Sequence, residues 1–70
     1  MANEKLVNNV RQKRVLAKLT QEDLAGLVKV TRQTIIAIEK GNYSPSVLLA
    51  LRLAKHLNST VEDLFYEEAN

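Results

Sequence analysis

The sequence predicts an all-α fold of five short helices. Four observations lead there. Apolar residues recur at three- and four-residue intervals along most of the chain, and Thr20, Thr31, Ser44 and Thr60 each precede such a run as a capping residue. Only two glycines and one proline punctuate the chain, and no stretch of β-branched alternation is long enough for a sheet.

The first helix is expected from about Leu6 to Lys18, with Leu6, Val10 and Leu16 or Ala17 at helical spacing. Thr20 caps the second, and Asp23 three residues on completes a variant of the capping box. In QEDLAGLV, Leu24, Leu27 and Val28 share one side, and Gly26 in the body costs about 1 kcal/mol relative to alanine. Three residues separate Val28 from Arg32; Thr31 caps the third helix, which runs to about Lys40, and Gly41-Asn42 is its stop signal. Ser44-Pro45 starts the fourth helix, with serine as the cap and proline at the first helical position. SVLLALRLAKHL is apolar on nearly all sides: Val47, Ala50, Leu51 and Ala54 form one stripe, with Leu49 and Leu53 opposite, which suits the centre of a bundle. Thr60 caps a last short helix, VEDLF, whose Leu64 and Phe65 turn to the core. The tail YEEAN either frays or forms a short extended segment beside the N-terminus.

Seventy residues make one domain, 1–70, with a core over about 6–66 and short flexible ends. A chain this short buries only roughly 60% of the surface its unfolded form exposes, so a second subunit would add stability. No cysteine is present, which excludes a disulfide framework or thiolate metal site and suits the cytosol. His56 alone makes no zinc site, so no metal or cofactor is expected. MANEKLVNNVRQKR lacks the apolar run of a signal peptide, and VLLAL is too short to span a bilayer, so no membrane role is expected. No catalytic residues are assigned. The sequence has no nucleophile–base–orienter arrangement and no phosphate-cradling glycine loop, and the pairs Glu22-Asp23 and Glu62-Asp63 sit in first helical turns, where the helix dipole accounts for them. The net charge of +2 divides unevenly: residues 1–45 carry +4 and residues 46–70 carry −2. The basic half suits a polyanionic partner.

Two short helices joined by three residues suggest a helix-turn-helix. Leu24, Val28, Val30, Ile35 and Ile38 would form its apolar wedge, and the small Ala25 lets the two helices cross closely. The other face of the third helix carries Arg32, Gln33, Ile36, Ala37 and Lys40, an isoleucine among polar residues.

The pieces LTQEDLA, VTRQTI, IEKGNYSPS, LRLAKHL and TVEDLF stand in an order that resembles the Cro/repressor-type (XRE-like) helix-turn-helix family over nearly the whole chain, in its short stand-alone form. The resemblance implies a prokaryotic or phage transcription regulator that binds double-stranded operator DNA as a homodimer. Its third helix would lie in the major groove. Arg32 would then pair with guanine O6 and N7, Gln33 with adenine N6 and N7, and Ile36 would meet a thymine methyl, with Ala37 allowing close approach. Gln21, Thr31 and Thr34 would touch phosphates, as would Lys40, Asn42, Tyr43 and Ser44 in the loop that follows. Arg14 and Glu39 match positions that form a structural ion pair. Leu48, which shares a stripe with Arg52 and Lys55, would form a subunit interface with Leu64, Phe65 and Tyr66, or else pack under the C-terminal tail. Lys29 departs from the family by standing where a glycine of positive φ is common. Two other readings remain: the DNA-binding antitoxin of a toxin–antitoxin pair, and a helical adaptor for an unknown protein partner.

Overall fold

The computed structural model describes residues 5–68. Among them are five helices, α1 (Val10–Leu16), α2 (Gln21–Val28), α3 (Arg32–Glu39), α4 (Val47–His56) and α5 (Val61–Leu64), flanked by strands β1 (Lys5–Asn8) and β2 (Phe65–Glu68). The strands pair antiparallel, from Lys5 opposite Glu68 to Asn8 opposite Phe65.

This ribbon corrects the expectation of a helical chain throughout. The four-residue spacing of Leu6 and Val10 suits a helix equally well, but Leu6 lies in β1 and α1 begins at Val10, the one buried residue of that helix. Leu16 and Ala17 are exposed. The segment YEEAN takes the extended alternative as far as Glu68; its last two residues lie outside the described residues.

The capping chemistry is local and matches the sequence at three helices. The Thr20 side chain accepts from the Asp23 N–H at 2.9 Å and the Asp23 carboxylate accepts from the Thr20 N–H at 3.0 Å, closing a full capping box. Thr31 and Thr60 accept from the N–H groups of Thr34 and Asp63. At α4 the cap is Ser46, which accepts from the Leu49 N–H at 3.1 Å. Ser44 and Pro45 therefore precede the helix, a correction: in Ser-Pro-Ser, the serine after the proline has the first free N–H groups within reach.

Val10, Leu24, Val28, Ile35, Ile38, Leu53 and Leu64 are fully buried and form the centre of the core. Leu49, Ala25, Ala54 and Leu57 extend it, and Leu19, Val30, Val61 and Phe65 pack against its edge. Helix α4 buries one side, not all: Leu49, Ala50, Leu53 and Ala54 face inward, while Val47, Leu48 and Leu51 are exposed. Leu27 is also largely exposed, so α2 presents Leu24, Ala25 and Val28 to the core. No described helix is long and apolar enough to cross a membrane.

Candidate nucleic-acid interface

The turn between α2 and α3 sets the geometry of the motif. Lys29 adopts φ 63° and ψ 45°, and the Val30 N–H closes back on the Ala25 carbonyl at 3.0 Å. The left-handed conformation that the family gives to glycine is kept, at about 1 kcal/mol or more for a side chain with a Cβ. Ala25 and Val28 of α2 and Ile35 of α3 are buried, so α3 is pinned through its inner face.

The outer face of α3 follows from helical geometry. At about 100° per residue, Arg32, Ile36, Lys40, Gln33 and Ala37 fall in that angular order within roughly 140° of arc. Arg32, Gln33 and Lys40 are exposed, whereas Ile36 and Ala37 are half-buried. The isoleucine is thus partly supported by the fold and not a fully exposed apolar side chain. Thr31 and Thr34 stand at the start of the helix with their hydroxyls 3.1 Å apart.

The loop after α3 is shaped by a Schellman stop. Gly41 has φ 82°, its N–H bonds the Ile38 carbonyl, and the Asn42 N–H bonds the Ala37 carbonyl, each at 2.9 Å. This leaves Lys40, Asn42, Tyr43 and Ser44 exposed in a tight turn beside the outer face of α3.

Arg14 and Glu39 meet behind that face. Arg14 Nε donates to Glu39 Oε2 at 2.6 Å and Nη2 donates to Oε1 at 3.2 Å, while Nη1 donates to the Leu19 carbonyl at 2.9 Å. Their side chains are only 12% and 5% exposed. Gln21 is half-buried and its Nε2 donates to Glu39 Oε1 at 3.1 Å. Its amide is therefore turned toward the ion pair, a long-range contact that no local sequence signal announces. Arg32 and Gln21 line one open hollow at the N-terminus of α2, together with Thr20 and Glu22. In the first turn of α2 the Asp23 carboxyl is held below its usual range, first by the Thr20 backbone N–H and then by the Thr20 side chain.

Asn8 was not among the expected residues. Its Nδ2 donates to the Ile38 carbonyl at 2.9 Å and its Oδ1 accepts from the Val10 N–H at 3.2 Å, so it joins the end of α3 to the start of α1. Asn9, at the cap position, makes no side-chain capping bond and donates through Nδ2 to the Asp63 carbonyl at 2.9 Å, a contact across the chain that the local sequence does not announce.

The expected interface group does not hold together. Leu48 and Tyr66 are exposed and Phe65 is half-buried, but Leu64 is completely buried and presents nothing to a partner. Among the described residues no group of His, Asp and Glu is placed to hold a metal ion.

A helix-turn-helix family profile matches residues 10–64, from the first residue of α1 to the last of α5. An uncharacterized HTH-type transcriptional regulator of Methanocaldococcus jannaschii is 52% identical over 61 residues, covering 87% of this chain and 92% of that protein. The HTH-type transcriptional regulator YgzD of Bacillus subtilis is 48% identical over 64 residues, covering 90% and 97%. Among solved structures, the restriction-modification controller protein C.AhdI of Aeromonas hydrophila superposes with a TM-score of 0.73 at 32% identity, over 80% of this chain and 85% of that one. The clp gene regulator ClgR of Corynebacterium glutamicum, at 24% identity, shares the fold with a TM-score of 0.72 over 77% of this chain and 57% of its own. The capped α2–turn–α3 unit and these likenesses agree: the chain belongs to the XRE-type helix-turn-helix family of transcriptional regulators.

Proposed function

We propose that the protein is a sequence-specific double-stranded DNA-binding regulator that acts as a dimeric repressor and reads the major groove with α3. The observation that carries this reading is the outer arc of α3. It combines an exposed guanidinium, an exposed amide and a half-buried isoleucine with a small alanine, on a helix whose opposite face is locked into the core. Arg32 supplies the fork that suits guanine and Gln33 the amide that suits adenine; Ile36 supplies an apolar contact for a thymine methyl, and Ala37 the clearance for close approach. Thr31, Thr34, Lys40, Asn42, Tyr43 and Ser44 surround this arc as phosphate contacts. Gln21 orients the Arg14–Glu39 pair and reaches phosphate through its remaining amide and backbone groups. A regulator of this kind acts in the cytoplasm, on DNA. The second subunit packs on the exposed apolar side chains of α4, Leu48 foremost, with Phe65 and Tyr66 as further candidate contacts.

The test is selection of bound duplexes from a random-sequence pool by wild type and Gln33→Ala in parallel. Wild type should enrich a palindrome with half-sites about 34 Å apart. The variant should lose discrimination at one symmetric position, by roughly 1–3 kcal/mol. A pool left unenriched by both proteins, with weak binding that vanishes in salt, would overturn the reading in favour of a protein partner.

A further inference from the structure

We propose that Arg11 of α1 is a phosphate anchor, which with Lys40 clamps one backbone phosphate of the duplex against the flank of α3. The proposal rests on the DNA reading above and adds a residue from a different helix to it.

Arg11 and Arg14 are three residues apart and share a face of α1. Their fates differ. All three nitrogens of the Arg14 guanidinium donate within the protein, two to Glu39 and one to the Leu19 carbonyl. Glu39 receives Arg14 on both oxygens and Gln21 on one, so the pair is closed and adds no net charge to its surroundings. Arg11 is exposed, and among the described residues no carboxylate forms an ion pair with it or with Lys40. Yet Arg11 and Lys40 line the same hollow, about 330 Å³, with Ile36 on its wall.

Once the Arg14–Glu39 charges cancel, that hollow retains two cations. Its wall includes a residue of the base-reading arc, so a duplex seated on that arc brings its backbone to the opening. A phosphodiester fits the chemistry: two outward oxygens with one negative charge, matched by a guanidinium fork on one side and a mobile ammonium on the other. The apolar wall contributed by Ile36 excludes some water from the contact and strengthens it.

The experiment measures the affinity of wild type, Arg11→Ala, Arg11→Lys and Arg11→Ala combined with Lys40→Ala for the selected duplex between about 50 and 200 mM salt, with thermal melting of each protein. Because Lys40 still faces the phosphate in Arg11→Ala, that variant should bind more weakly with a salt slope lowered by part of one phosphate contact. The double variant should lower the slope by about 0.9, so that the wild-type advantage over it shrinks roughly threefold across that range. The selected sequence and the melting temperature should stay unchanged, and Arg11→Lys should keep most of the slope. An unchanged slope, a changed sequence preference or a lowered melting temperature that accounts for the weaker binding would overturn the anchor. If wild type itself selects no sequence, it is the DNA reading that falls, and the anchor with it.

Discussion

Arg14 and Glu39 join α1 to α3 through two charge-assisted hydrogen bonds, at 2.6 and 3.2 Å, in a setting that is nearly closed to water. Such a pair is more costly to break than it is stabilising to have, because the remaining charge is left without solvent or partner. Glu39→Ala should therefore lower stability by about 3 kcal/mol, measured by urea denaturation. Replacing both residues with apolar ones of similar volume should recover a large part of that loss. A double variant as unstable as the single one would mean that the pair holds α3 by its hydrogen bonds and not merely by tolerating its own burial.

Two positions of α2 and its turn carry residues that the backbone does not favour. Gly26 lies in the helix body, where a Cβ would meet open space, and Lys29 lies where φ is positive. Gly26→Ala and Lys29→Gly should each stabilise the protein by about 0.5–1 kcal/mol, seen as raised melting temperatures. Asn58, at φ 54°, should gain less from glycine, since asparagine tolerates this conformation better than lysine does.

The capping box of α2 gives a pH dependence of known sign. The folded-state pKa of Asp23 is depressed by its bonds to Thr20, so its contribution is complete above the unfolded aspartate value of about 3.9 and is lost as pH falls through the lower folded value. Urea midpoints for wild type and Asp23→Asn, followed from neutral pH into strong acid, should differ most at neutral pH and converge in acid. A constant difference would assign the effect to something other than the ionised carboxylate.

Leu64 and Leu48 separate folding from assembly. Leu64→Ala should cost about 3 kcal/mol in stability, as expected for a fully buried leucine. Leu48→Glu, on the exposed face of α4, should leave the melting of the monomer nearly unchanged. In sedimentation equilibrium at high micromolar concentration, wild type should be a dimer and the variant a monomer. A monomeric wild type would remove the dimer for the free protein.

The parts of the fold legible in the sequence are those set by neighbours in sequence. Thr20 with Asp23, Thr31, Thr60 and Gly41 declare helix ends through bonds spanning only a few residues. The wedge of Leu24, Val28, Ile35 and Ile38 follows from period alone. The ribbon is legible only by half: an extended tail beside the N-terminus is one of two alternatives, but β1 reads as helix, because each strand is four residues long and its partner lies at the other end of the chain. Ser44 is the cap that Ser-Pro, a local helix-start signal, announces, and only the backbone path shows that α4 starts two residues later, behind Ser46. The inward turn of Gln21 and the exposure of Val47 and Leu51 likewise depend on what lies across space. The outer arc of α3 could be drawn on a helical wheel, but the contrast between a spent Arg14 and an uncommitted Arg11 required the bonds themselves.

The pairing of β1 with β2 also dictates an order of events. Contacts within the α2–turn–α3 unit join residues close in sequence and can form early. The ribbon, with the Asn9 N–H bonded to the Leu64 carbonyl at 2.8 Å, must close a loop of nearly the whole described chain before it gains anything. It therefore zips last and opens first, so its amides should exchange with solvent ahead of those in α3. A molecule opened at the ribbon should therefore still carry a formed α2–turn–α3 unit, seen as α3 amides that stay protected after those of the ribbon have exchanged.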